Sequence, residues 1–133
     1  RHIENATKVA RWLEANPQVE KVIWAGVESS PWYERAQKYL PKGPGAVLGF
    51  TLKDATLEQT RDFVDALKLH SNVANIGDVR SLVIHPASTT HSQLSAEELE
   101  KIGVYPNFVR LAVGIENIDD ILADLQLGFD TLS

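Results

Sequence analysis

The amino-acid sequence predicts an α+β fold: a two-layer sandwich of helices packed on one four- to five-stranded, mainly antiparallel sheet. Three observations carry this. Helical and strand patterns run in the order helix, strand, helix, strand, helix, two strands, helix, strand, helix. The longer strands alternate in hydrophobicity, so each has one face for a core. The helices each carry a single apolar stripe. At 133 residues, 44% apolar and 23% charged, the chain reads as one domain, 1–133, able to bury a core of its own.

The elements follow in chain order. From Ile3 to Ala15 the apolar positions Ile3, Ala6, Val9, Ala10 and Leu13 recur at helical spacing, and Asn16-Pro17 ends the helix. Val19 to Ala25 is a short strand stopped by Gly26. Ser30-Pro31 is a helix start, with Ser as cap and Pro in the first turn, and the helix runs from Trp32 to Leu40. Pro41 to Gly45 is a loop whose glycines lack the spacing of a phosphate-binding loop. Ala46 to Leu52 alternates, with Leu48, Phe50 and Leu52 on one face. Thr56 with Gln59 makes a capping box for a helix to Leu69, with Phe63, Val64 and Leu67 as its inner stripe.

Two short apolar runs, Val73 to Ile76 and Leu82 to Ile84, flank a Gly-Asp turn. A hydroxyl-rich loop, Ser88 to Ser92, leads to a second capping box, Ser95 with Glu98, and a short helix to Ile102. Phe108 to Ile115 is a strand. Val109, Leu111, Val113 and Ile115 point one way; Phe108, Arg110, Ala112 and Gly114 point the other. The last helix starts at Asn117, with Asp119 and Asp120 where the helix dipole favours anions, and buries Ile118, Ile121, Leu122 and Leu125.

Composition narrows the function classes. A net charge of -5 argues against a nucleic-acid partner, which favours a basic face. No apolar run approaches membrane length and no signal peptide is visible, so a cytoplasmic protein is expected. The absence of cysteine excludes a disulfide framework, a thiolate nucleophile and cysteine-based zinc sites. The chain begins at Arg1, contains no Met and enters a helix at once, and it reads as a piece of a longer polypeptide.

Among chemistry-bearing residues, Arg110 stands out. A surface or interdomain ion pair is the default for an unplaced Arg. Its place on a strand beside Ala112 and Gly114, however, leaves room for an anion, and a guanidinium fork matches a carboxylate through two parallel hydrogen bonds. Asn75, before Gly77-Asp78, reads on its own as a turn residue. Thr89, Thr90 and His91 form a polar cluster in which a loop capping its own backbone is at least as good a reading as function. His85 and His91 lack a third ligand at sensible spacing, so no metal site is expected. Asp119 and Asp120 are adjacent capping residues rather than a catalytic pair, and Arg80 reads as a surface salt-bridge residue. Lys8 lies on a continuing amphipathic helix and reads as solvated.

The stretch SLVIHPASTTHSQLS, followed by FVRLAVGIENIDDILADL, resembles the C-terminal part of the pyridoxal-phosphate enzymes of cysteine and methionine metabolism. The resemblance covers essentially the whole chain. Within that family, NIGDVRSL is most similar to the O-acetylhomoserine sulfhydrylase (homocysteine synthase) branch. Cystathionine synthases and lyases usually carry Ser-Leu-Gly there, so Asn75 is the branch marker.

The resemblance implies the small C-terminal domain of a fold-type I enzyme, with the large cofactor-binding domain absent. It implies that Arg110 binds the α-carboxylate of an amino-acid substrate, O-acetylhomoserine, with Asn75 and the backbone of Ile76 beside it. Thr90 and His91 stand at most behind the residues that touch the substrate. None of the seven lysines sits in the family's Schiff-base context, so pyridoxal 5'-phosphate is expected on the large domain. No catalytic residue is expected here, and the piece alone is expected to fold without catalysing. The intact enzyme is expected to exchange acetate for sulfide or a thiol and to assemble as a homotetramer. A sibling cystathionine γ-synthase or γ-lyase, and a standalone α+β ligand-binding module, are the alternatives.

Overall fold

A computed structural model of the chain describes residues 1–24, 26, 33–39, 45–72, 80–88 and 106–132. The first helix, α1 (His2–Glu14), buries Asn5, Ala6, Val9, Ala10 and Leu13. The stripe is the expected one with two differences. Ile3 is half-buried, and Asn5, one turn before Val9, takes a place on the inner face. The turn after α1 is closed by Asn16, whose Oδ1 accepts from the Gln18 amide at 2.9 Å. Strand β1 (Val19–Ile23) ends two residues earlier than expected.

A short helix α2 (Tyr33–Tyr39) precedes β2 (Val47–Leu52). The predicted start at Ser30, Pro31 and Trp32 lies outside the described residues. Helix α3 (Leu57–Asp65) carries the predicted capping box. The Thr56 hydroxyl accepts from the Gln59 amide, and the Gln59 side chain accepts from the Thr56 amide.

Helix α3 stops four residues short of Leu69. The reason lies on the last helix, α4 (Ile118–Asp130), where Asp124 captures the amides that would have continued α3. Its Oδ1 accepts from Lys68 and Leu69 at 2.7 and 2.9 Å, and its Oδ2 from His70 at 3.0 Å. A carboxylate offering several acceptor sites to consecutive amides turns the chain towards β3 (Ser71–Asn72). Leu67 stays buried beyond the helix end.

Strands β4 (Leu82–Ile84) and β5 (Phe108–Ala112) complete a five-stranded sheet in the order β1-β2-β5-β4-β3. All pairs are antiparallel except β3 with β4. The expected α+β class with a mainly antiparallel sheet is the observed one. The Ser95 to Ile102 helix and the Val73 to Ile76 run lie outside the described residues.

The core lies between one sheet face and helices α1, α3 and α4. Leu48, Phe50 and Leu52 of β2, Val109 and Leu111 of β5 and Val83 of β4 meet Val9, Leu13, Phe63, Ile121, Leu125 and Phe129. Phe63 and Phe129 meet edge to face with ring centroids 4.9 Å apart, and Phe50 packs against Phe63 at 5.8 Å. Each such ring contributes about 1.5–3 kcal/mol by burial, and each pair adds about 1 kcal/mol. The alternation of β5 holds only to Val113. Ile115, expected on the same face as Val109 and Leu111, is 39% exposed because the strand has ended and the chain has turned towards α4.

Candidate carboxylate site

Strand β5 alternates as its sequence requires. Val109 and Leu111 enter the core, and Phe108, Arg110 and Ala112 face the other side of the sheet. Arg110 is the middle residue. It lies opposite Gly49 of β2 and Ile84 of β4, near the centre of the sheet, and is half-buried. Its guanidinium has no hydrogen bond or ion pair with any described residue. A half-buried guanidinium still needs acceptors for its five N–H groups, and among the described residues none supplies one.

The small residues around Arg110 differ in role from the sequence expectation. Gly114 lies past the strand end and is buried, so it opens no space beside the fork. Gly49 does face Arg110, but its missing side chain is used by Phe108. A Cβ there would stand 2.4 Å from the Phe108 ring, so the glycine is what lets that ring lie across the sheet. On the same sheet face the next row holds Ala112 and its partner Val47, which is 38% exposed.

The segment after β5 is fastened from two directions. From one side, α1 supplies His2 Nδ1 to the Val113 carbonyl at 2.8 Å, and Asn5 Nδ2 to the carbonyls of Gly114 and Glu116 at 3.0 and 2.8 Å. Arg1 Nε donates to the Ile115 carbonyl. From the other side, Ser81 accepts from the Gly114 amide at 2.9 Å and donates its hydroxyl to Glu116 Oε1 at 2.8 Å. The Ser81 amide donates to Glu116 Oε2 at 2.8 Å. Burial opposes the Glu116 charge, but the Ser81 amide and hydroxyl outweigh it and hold the carboxyl below its usual range.

A second polar cluster is structural. Burial opposes the Asp124 charge as well, yet the His70 ring, whose Nδ1–H donates at 2.6 Å, and the amides of Leu69, His70 and Lys68 hold it well below the carboxylate range. His85 is buried and its Nε2–H donates to the Pro106 carbonyl at 2.6 Å. Burial lowers its pKa, Arg61 lowers it further, and the carbonyl and Asp65 act the other way. Among the described residues no three His, Asp or Glu side chains gather as a metal site.

The sequence-predicted residues divide accordingly. Arg110 is on the sheet as expected, whereas Asn75, Ile76, Thr90 and His91 lie outside the described residues. A Schiff-base lysine needs a desolvated or cation-flanked amine. Lys8, Lys21, Lys38, Lys53 and Lys68 are all exposed, so the described residues do not fit the anchoring of pyridoxal phosphate. The polar residues Asn5, Ser81 and Glu116 escaped sequence reasoning. Asn5 had a signal, being a polar residue four before Val9 on a buried stripe; Ser81 and Glu116 had none in spacing.

Comparison with known proteins gives a consistent result. A family model described as Cys/Met metabolism PLP-dependent enzyme matches residues 1–130. The chain is 56% identical to an O-acetyl-L-homoserine sulfhydrylase of Corynebacterium glutamicum, over 97% of its own length and 29% of that protein. It is 50% identical to a homocysteine synthase of Schizosaccharomyces pombe, over 93% of its length and 29% of the relative. Among solved structures, an O-acetylhomoserine (thiol)-lyase of Campylobacter jejuni, in which a lysine carries a pyridoxyl phosphate group, superposes with a TM-score of 0.86 at 40% identity, covering 97% of this chain and 30% of that one. The chain thus spans about 30% of the length of the relatives it matches.

Proposed function

The chain belongs to the Cys/Met metabolism PLP-dependent enzyme family, and from that premise we propose that it is the carboxylate-clamping, C-terminal domain of an O-acetylhomoserine sulfhydrylase-like enzyme. The observation that carries the reading is the half-buried Arg110 fork on the middle strand, to which no described residue offers an acceptor. Arg110 takes the α-carboxylate of O-acetylhomoserine in a bidentate pair, and Asn75 with the Ile76 backbone completes the clamp. Fixing that carboxylate fixes the orientation of the Cα–H bond, a positioning contribution made before any bond changes.

The remainder of the protein holds pyridoxal 5'-phosphate, which supplies the electron sink, and the whole enzyme converts O-acetylhomoserine and sulfide or a thiol to homocysteine or its thioether and acetate. The exposure of the described lysines supports assigning the cofactor to that remainder and predicts no activity for this chain alone. The names of the similar proteins favour this branch over a cystathionine synthase or lyase, and their 97% and 93% coverage of the chain at 56% and 50% identity speaks against a standalone ligand-binding module. A cytoplasmic homotetramer is the assembly proposed for the intact enzyme.

The test is Arg110→Ala in the full-length enzyme. The KM for O-acetylhomoserine is expected to rise about a hundredfold or more, since each of the two charged hydrogen bonds in the bidentate pair is worth ~1.5–3 kcal/mol, with the cofactor absorbance unchanged. An unchanged KM would overturn the assignment.

A further inference from the structure

We infer that Ser81 and Glu116 are positioning residues for the Arg110 fork, a second tier of the carboxylate clamp that sets where strand β5 ends. The inference rests on the proposed role of Arg110 and goes beyond it, because neither residue needs to touch substrate.

Strand pairing ends at Ala112, two residues past Arg110, where it faces Val47 on one side and Leu82 on the other. A strand that ended there freely would fray, and Arg110 would swing with it. The next four residues instead form a pinned segment. The Val113 amide donates to the Ala46 carbonyl at 2.8 Å, and the Gly114 amide donates to the Ser81 hydroxyl. That hydroxyl donates in turn to Glu116, so one oxygen joins the strand end to the carboxylate beyond it. Ser81 is fully buried, directly precedes β4, and gives its carbonyl to the Ser71 amide at 3.0 Å. A single residue therefore ties together the ends of β3, β4 and β5.

Glu116 completes the loop by spending its negative charge on two Ser81 donors rather than on a cation. Asn5 holds the carbonyls of the same segment from α1, so the pin has a stop on each side. Such support matters because a binding group is useful only when held within about half an ångström of its productive place. Loss of the Ser81 hydroxyl would orphan the buried Gly114 amide and remove one of the two Ser81 donors to Glu116.

The experiment uses the full-length enzyme with Ser81→Ala, Glu116→Ala and Glu116→Gln. Each is measured for the KM of O-acetylhomoserine, for kcat, for cofactor absorbance, and for inhibition by 3-aminopropyl acetate, the same ester without its carboxylate. Ser81→Ala and Glu116→Ala are expected to raise KM about tenfold, with kcat, absorbance and inhibition by the amine nearly unchanged. Glu116→Gln keeps the shape and an acceptor for the Ser81 amide, and is expected to recover most of the loss.

Should Ser81→Ala not fold, Glu116→Asp reads the same question, since it keeps the charge while drawing the carboxylate back from Ser81. A KM within twofold of the parent in these variants, while Arg110→Ala still raises it, overturns the inference and leaves the role of Arg110 standing. Equal weakening of substrate and amine also overturns it, because a general structural role does not select for the carboxylate. An unchanged KM in Arg110→Ala removes the reading beneath it.

Discussion

Arg110 is held where a lysine would be a poor substitute. The guanidinium projects from the middle of a strand between Gly49 and Ile84, and the Phe108 ring occupies the space over the glycine. A planar fork carrying five fixed donors can meet both oxygens of a carboxylate from such a position, whereas an ammonium on a flexible stem offers a point charge. Arg110→Lys in the full-length enzyme is therefore expected to recover at most about a tenth of the affinity lost in Arg110→Ala, read from the KM for O-acetylhomoserine. Near-parental affinity would show that charge alone is recognised and that there is no bidentate pair. The place of Arg110 on the sheet face away from the core was legible in the sequence, because one cation interrupts an alternating apolar strand. The residues that fasten the strand end were not, since Ser81 and Asn5 act through a few hydrogen bonds to groups more than thirty positions away.

Elements are decided by packing wherever propensity and packing disagree, and Gly128 of α4 is the sharpest case. Replacing a helix-interior glycine by alanine ordinarily gains about 1 kcal/mol. A Cβ at Gly128, however, would stand 2.7 Å from two atoms of the Phe63 ring. That ring is fully buried against Phe50 and Phe129 and has nowhere to retreat. Overpacking costs about 1–3 kcal/mol, so the packing term wins and Gly128→Ala is expected to lower the melting temperature of the chain. A raised melting temperature would mean that the aromatic cluster yields. The same competition explains which element boundaries could be read. The capping box at Thr56, the core face of Leu48, Phe50 and Leu52 on β2 and the helix start at Asn117 are local signals, and all three hold, although β2 is buried on both faces from Leu48 to Leu52. The end of α3 is not local, because Asp124 sits 59 residues beyond Asp65 and decides it by taking three amides. Asp124 was signalled only as an acid lying between Ile121 and Leu125 on an otherwise apolar stripe.

At the scale of the whole molecule, three polar groups from distant parts of the chain bias the fold in the same direction with pH. Asp124 and Glu116 have carboxyl pKa values below their unfolded references of 3.8 and 4.5, and His85 lies below its reference of 6.5. In each case the folded state binds fewer protons than the unfolded chain through the window between the two values, so stability rises with pH there. The His85 contribution is complete above about pH 6.5 and is lost as pH falls through its lowered folded value. The carboxylate contributions are complete above about pH 4.5 and are lost as pH falls below it. Unfolding free energy is thus expected to decline in two steps on acidification, a small one just below neutrality and a larger one in the acid range. Urea titrations at a series of pH values measure this directly. His85→Gln, which can still donate to the Pro106 carbonyl, should flatten the upper step and leave the lower one intact. Asp124→Asn should reduce the lower step, because the amide keeps one acceptor oxygen but turns a donor towards His70. An unfolding free energy that stays level from neutrality into the acid range would show that these three groups find equal partners in the unfolded chain, and that the Asp124 turn contributes to the shape of the fold without contributing to its pH dependence.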